Sequence, residues 1–379
     1  MISTAHWGAT SRVLTDRGKA VAELTTDTQP LWPDGLEQAG GLKVISPSDP
    51  AWLAFLERRD EATIFHHPVW IAVLAKSYGY RPLALVSFDR AGTVEAGLGA
   101  TEVVGRFRGA RLVSLPFTDH CPPLARDDQA EERFGAKLAR WLQGAAGPTL
   151  EIRGKAPRRW GLHTVTVGVR HVLALDPDAS AVFRRFDSSV ARAIRKSQRA
   201  GLTAEVTTSP ESMAAFYRLH CLTRRRLGVP VQPRRFLSGV WNLLGQGFGF
   251  AVVVRNDGLP IAAGIFLAWN RTVIYKFGAS DATTWSFRPN NLLMWTAIEW
   301  ACENGYTVFE FGRTERGNQG LDDFKSRWGT QRLPLDYSYS GAVPRTGEGG
   351  GMRAARTVIR FSPVIVSRLA GELLYKHLT

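Results

Sequence analysis

Cysteine is scarce in this chain of 379 residues: Cys121, Cys221 and Cys302 are odd in number, far apart and outside any CxxC or Cys/His cluster. That spacing excludes a metal centre built on cysteine, and a reducing compartment fits it best. Long apolar runs are missing too. No stretch of about 18 apolar residues could span a bilayer, and MISTAHWGATSRVLTDRGKA lacks the apolar centre of a signal peptide, so a cytoplasmic protein is expected. Acidic residues are outnumbered, 34 Asp+Glu against 48 Lys+Arg, leaving a net charge of +14 and a pI near 10.1. Such a balance points to an anionic partner, either phosphates or an acidic membrane surface.

What is present is ample material for burial: 44% apolar residues, with 12 Trp and 19 Phe, in a chain longer than one core usually supports. Two domains are expected. Residues 1–40 show neither helical nor strand periodicity and read as a flexible tail. From Gly41 the chain is patterned, and 41–180 forms the first domain. LKVIS reads as a strand, helices follow from Asp49 and through PVWIAVLAKSYGY, then come three strand-like runs (RPLALVSF, VEAGLGATEVV, ARLVSLPF), a helix (QAEERFGAKLARWLQG) and a strand, TLEIRG. Residues 181–342 repeat the order: a helix from Ser209, a second over Arg235 to Leu244, strands FGFAVVVR, PIAAGIFLAW and TVIYKFGAS with hairpin turns between them, a helix from Asn290, and the strand TVFEFGR. The shared order predicts an internal duplication. Residues 343–379 form a basic tail.

Several motifs in the second half carry a resemblance. ARAIRKSQRAGL, YKFGAS, FEFGRT and NQGLDDFKSRWG, at matching spacing over about 150 residues from Ser188 to Tyr339, are similar to the acetyltransferase-like domain of FemAB-related proteins in the GNAT superfamily. The first half matches more weakly, through PVWIAVLAKSYGYRPLALV and LVSLPFTDHCPPL. The resemblance implies an α/β fold of two tandem GNAT-like units, with mixed, mostly antiparallel sheets flanked by helices. It also implies amide formation. FemAB-type enzymes move an aminoacyl group from charged tRNA onto the stem-peptide amine of a cell-wall precursor, while other members with this domain use different acyl donors.

The candidate site follows from the chemistry of that reaction, whose barrier is dominated by negative charge growing on the carbonyl oxygen. In GLDDFKSRWG the family's Phe-Lys pair reads Phe324-Lys325, and the resemblance implies that Lys325 stabilises the tetrahedral intermediate; a lysine there is otherwise a solvated surface residue. Asp322 and Asp323 suit a helix first turn. Those two, His220 and Glu310 are candidates for a general base, each with a structural reading beside it. Over Arg184 to Arg199 a single helix would gather Arg184, Arg185, Arg192, Arg195, Lys196 and Arg199 within an arc of roughly 120°, with Phe183, Phe186, Val190, Ala193, Ile194 and Ser197 opposite. That face is expected to hold an anionic ligand, a nucleotide- or lipid-linked precursor or tRNA; in the family an arginine near Arg192 and Arg195 contacts the diphosphate of the precursor.

Tyr275 matches a family position near the acceptor, though the tyrosine that often follows two residues later is Phe277 here, and Tyr275 reads equally as a packed strand aromatic. The pyrophosphate loop of an acetyl-CoA site is replaced by SFRPNNLLMW, where Asn290 or Asn291 is a candidate helix cap beside Arg288. Arg313, closing FEFGR, completes the candidate binding set. No metal or bound cofactor is expected, and the donor is aminoacyl-tRNA or acyl-CoA. The acceptor is expected to be an amine of a peptidoglycan or polysaccharide precursor, including exopolysaccharide intermediates. Other readings are acyl transfer from CoA to an amino sugar or small amine, and a catalytically silent module that binds an anion. The tail, with Arg353, Arg356, Arg360, Arg368 and Lys376 among Val, Ile and Leu, reads as an interfacial helix on anionic lipid at the inner membrane face or as a segment packed on the catalytic domains, interrupted at Pro363.

Overall fold

Caps place the first helices where the sequence predicts them. After a short strand β1 (Lys43–Ile45), Asp49 accepts from the Ala51 amide to start α1 (Pro50–Glu57), and His67 accepts from the Val69 amide to start α2 (Pro68–Tyr78), which Gly79 ends at φ 71°. The computed structural model describes residues 41–105, 109–143, 149–343 and 350–375; the segment expected to be a flexible tail and Lys376 lie outside them. The first unit continues with β2 (Arg81–Phe88), β3 (Val94–Gly105), β4 (Gly109–Val113), β5 (Leu124–Ala125), α3 (Asp128–Gln143), β6 (Thr149–Ile152) and β7 (His163–Ala174). Two helices, α4 (Ala179–Arg184) and α5 (Ser188–Arg199), lead into the second. It comprises β8 (Thr203–Thr207), α6 (Pro210–Arg226), α7 (Arg234–Gly245), β9 (Gly249–Asn256), β10 (Leu259–Trp269), β11 (Thr272–Ser280), α8 (Pro289–Glu303), β12 (Val308–Glu315), α9 (Gln319–Ser326) and β13 (Gln331–Tyr339). The tail forms α10 (Gly350–Phe361) and α11 (Val364–Leu374), broken around Pro363.

One sheet runs through the molecule in the order β1-β2-β3-β4-β6-β13-β7-β12-β11-β10-β9-β8, with β5 beside β3. Read from either edge the order is the same, which is the duplication expressed as pairing. Both units have one parallel contact at the same place, β4 with β6 and β11 with β12, and the other contacts are antiparallel. The chain therefore has two tandem GNAT-like units in a mixed, mostly antiparallel sheet flanked by helices.

The centre of that order is an exchange. β7 leaves the first unit and pairs with β12 of the second, while β13 returns to pair with β6 of the first, and the two exchanged strands pair with each other from Gln331↔Val172 to Tyr339↔His163. Leu335, Tyr337 and Tyr339 bury one face of this seam against Val165 and Val167. Neither strand appears in the element order read from the sequence, although Val165, Val167 and Val169, and Leu333, Leu335, Tyr337 and Tyr339, alternate with strand period. The expected boundary between residues 180 and 181 falls inside α4, after β7 has already crossed into the other half of the sheet. Trp52 and Trp70 of the first unit and Phe216 and Phe236 of the second share one buried cluster, so the units also join through their helices.

Two local expectations are corrected. Arg184 to Arg199 is not one helix: Asp187 accepts from the Ser189 amide and starts a new one, so Arg184 turns to Asp178 and Arg185 donates to the Ala174 carbonyl. Of the expected apolar side, Phe186, Val190, Ile194 and Ser197 are buried, whereas Phe183 and Ala193 are partly exposed and Ala193 lines a cleft. ARLVSLPF is a strand only as far as Val113, because Leu115 and Phe117 take positive φ (69° and 57°) and turn the chain into a loop.

Candidate active site

The loop after β4 and the bulge in β12 meet at the seam between the units. Ladder register slips between Glu310 and Arg313, and Gly312 sits at φ 69°, where a Cβ would lie 3.0 Å from the Tyr275 carbonyl oxygen. The bulge turns two carbonyls toward α9. Lys325, 3% exposed, donates from Nζ to the Gly312 and Arg313 carbonyls, each at 2.9 Å. An ammonium has three N–H donors, so one remains for the cleft that Lys325 lines. Burial lowers its pKa to about 8, and Asp119, Glu310 and Asp322 offset part of that.

α9 is fixed at both ends. Asn318 accepts from the Leu321 amide at its start, and Trp328 packs fully buried near Phe311 and Phe186 beyond its end. Gly329, at φ 68°, lies against the Arg185 carbonyl where a Cβ would be 2.9 Å away, whereas Gly320 faces open space on the cleft wall. Asp322 does more than complement the helix dipole: it pairs with His171 at 2.9 Å and with Arg332, tying α9 to both exchanged strands. Arg332, its hydrogen-bond partner, is the first cause of its lowered pKa.

Asp119 and Lys276 complete the wall, and neither was singled out in the sequence. Asp119 belongs to the first unit, in the loop held by Trp70 Nε1 donating to Thr118 Oγ1 and by Tyr337 Oη donating to the Asp119 carbonyl. Its carboxylate lies 3.9 Å from Lys276 Nζ, which also donates to the Phe117 carbonyl at 2.8 Å and faces the rings of Phe65 and Trp70. Burial lowers the Lys276 pKa, partly offset by Asp119. Lys276 stands inside the quoted YKFGAS motif, so alternation along β11 could have marked it; nothing local marks Asp119.

A cleft of about 860 Å³ contains Asp119, Lys276, Tyr275, Arg288, Arg313 and Lys325 in its wall, and Asn290 and Phe324 as well. Tyr275 stacks on Phe266 and burial raises its pKa to about 12, so its hydroxyl stays protonated; it lies over Gly278, where a methyl would collide with it. A second cleft of about 570 Å³ shares Arg288, Asn291, Gly320 and Phe324 with the first and adds Arg192 and Lys196. Arg195 and Arg199 are exposed on α5 and line neither cleft. The expected cap is also different: Arg288 itself occupies the cap position of α8 at φ 62° without a side-chain cap, while Asn290 Nδ2 reaches Ser280 Oγ at 3.4 Å. Of the candidate bases, Glu310 is buried against Arg170 at 3.4 Å, with burial raising its pKa, and His220 is buried against Gln232 at 2.7 Å, with burial lowering its pKa to about 4. Asp323 is occupied by Gln319.

Residues 184–326, which contain α5, the β11 strand and the Lys325 helix, match the family described as Acetyltransferase (GNAT) domain. The second unit is a GNAT acyltransferase domain. The whole two-unit fold is similar to the crystal structure of FemX, at 14% identity and a TM-score of 0.64 over 78% of this chain and 96% of that one. It is also similar to the C-terminal domain of a putative lysylphosphatidylglycerol synthetase from Agrobacterium fabrum (14%, TM-score 0.51, 82% and 93%) and to L-PGS from Bacillus licheniformis (14%, TM-score 0.50, 83% and 97%). No curated protein matches the chain in sequence. These likenesses bear on the fold, the two tandem GNAT-like units that the motifs imply. Among the described residues no helix is long and apolar enough to cross a membrane.

Proposed function

We propose that this GNAT domain forms an amide by moving an aminoacyl or acyl group onto an amine of an anionic cell-envelope precursor. The observation that carries the reading is Lys325, whose buried ammonium is clamped by two backbone carbonyls and keeps one donor for the cleft it shares with Asp119. A clamped cation meets the charge that develops on a carbonyl oxygen without reorganising, and a carboxylate in the same cleft can take the proton of the attacking amine. Tyr275 and Asn290 offer polar groups for orientation, and Phe324 forms the wall between the clefts.

Arg192 and Lys196, with Arg288 between the clefts, supply the charge for a phosphate-bearing substrate. Replacing both residues of α5 by glutamate (Arg192→Glu with Lys196→Glu) is expected to raise KM about tenfold or more with Tm nearly unchanged. Arg195→Glu, one turn away and outside the cleft, is the matched control in the same assay; an equal effect there would reduce the face to general charge.

The donor reading favours aminoacyl-tRNA over acetyl-CoA. Pro289 opens α8 with no N–H, and the Asn291 amide is turned to the Arg288 carbonyl, so the helix start that holds a pyrophosphate in acetyl-CoA sites has few free donors. A short connection favours the CoA thioester instead: between β7 and β8 only α4 and α5 intervene, with no added helical arm for tRNA. Purified protein incubated with amine acceptors and either charged tRNA or acyl-CoAs, with the new amide detected by mass spectrometry, separates these readings. RNase-sensitive product is expected; product that ignores RNase and needs the thioester overturns the tRNA donor, and no amide from either donor leaves the anion-binding module.

A further inference from the structure

The tail helices expose an apolar stripe that the acyl-transfer site does not use. On α11, Ser367 and Gly371 face the body: the Ser367 carbonyl accepts from the Val231 amide, and a Cβ on Gly371 would collide with the Val231 carbonyl. At about 100° per residue, Ile365, Leu369 and Leu373 point the opposite way, and they are 51%, 56% and 70% exposed. On α10, Ile359 is buried, and Val358 and Phe361, 60% and 79% exposed, stand roughly 100° and 160° round the helix from it. Ile365, Leu369 and Leu373 thus form one row along α11, and exposed Phe361 ends α10 just before the break at Pro363. Isolated apolar side chains on a surface are ordinary, but a contiguous row is not.

Positive charge borders this row. Arg356 and Arg360 are exposed on α10, and Arg360 donates to the Arg226 carbonyl, which brings α10 beside the Arg225 and Arg226 end of α6. The acid in the described tail is Glu372, whose carboxylate accepts from the Arg234 amide at the start of α7. We propose that α10 and α11 lie on an anionic bilayer surface, with the row entering the acyl region and the arginines meeting lipid phosphates. Neither helix is long enough to cross, so the contact is peripheral. A third cleft, of about 710 Å³, opens between α10, Tyr375 and the Asp119 loop, with Arg356 and Lys276 in its wall. An acceptor anchored in that surface would reach Asp119 from this side.

The proposal stands apart from the acyl-transfer reading, because vesicle binding is measured without substrate. Full-length protein is sedimented with vesicles of equal parts phosphatidylcholine and phosphatidylglycerol, and with phosphatidylcholine alone. Retention on the anionic vesicles is expected, weakening as salt is raised, and Phe361→Ser with Leu369→Ser lowers the partition coefficient about tenfold or more while the circular dichroism spectrum is unchanged. No retention on anionic vesicles, or equal retention of the variant, overturns it. So does a dimer in light scattering that the same variant converts to monomer while neither form binds vesicles, since a second copy would then cover the row.

Discussion

Lys325→Ala lowers turnover of amide formation by about 10²–10³-fold, the size of effect that follows removal of one fixed donor from a developing oxyanion. The same substitution leaves the carbonyls of Gly312 and Arg313 without their shared partner, so some loss of stability accompanies it, on the order of 1–3 kcal/mol. A pH profile separates the two contributions. Burial has lowered the Lys325 pKa from 10.5 to about 8, so its cation is present below that pH and is lost as pH rises through it. Catalysis by the cation therefore declines above about pH 8, against the trend of the acceptor amine, which gains its neutral form as pH rises. In Lys325→Ala the alkaline decline disappears together with most of the rate. A variant that is merely less stable keeps the decline, and that result would remove Lys325 from the chemistry.

Asp119→Asn is expected to reduce turnover by about 10²–10⁴-fold, the range for loss of a positioned general base. Asparagine preserves the shape, but the Lys276 side chain, 5% exposed, loses the carboxylate 3.9 Å from its Nζ, so some loss of stability is expected and turnover is compared well below the Tm of the variant. In Asp119→Ala, which leaves space where the carboxylate stood, added formate restores part of the rate if the missing function is a carboxylate near the amine, which a structural role does not predict. Turnover close to that of the parent, measured at saturating acceptor, would exclude Asp119 from the proton path. Because Asp119, the proposed base, belongs to the first unit and Lys325, the proposed oxyanion donor, to the second, neither unit isolated from the other is expected to be active.

Much of the molecule was legible from local patterns. Asp49 and Gly79 mark helix ends because a side chain and a left-handed residue satisfy backbone groups locally. The second unit's meander was legible because hairpin turns at Asp257 and Asn270 join neighbours in the sheet, and both residues take positive φ. The basic face of α5 was half legible: helical spacing identified its buried side, but it missed Asp187 as a cap, and it could not separate Arg192 and Lys196, which line the cleft, from Arg195 and Arg199, which do not. Helical period assigns a residue to a face and carries no information on what stands opposite that face.

The amino-acid sequence by itself determined the order of elements, the excess of positive charge, the FemAB-like motifs and the place of Lys325 in a short helix after FEFGR. Only the tertiary structure decided that β7 and β13 change places, that a bulge at Gly312 clamps Lys325, and that Asp119 arrives from the other unit. The reason is the range of the forces involved. Caps, turns and alternation act over a few residues and leave their mark on neighbouring positions, whereas strand exchange and the meeting of Asp119 with Lys276 and Lys325 depend on register and packing between segments far apart in the chain.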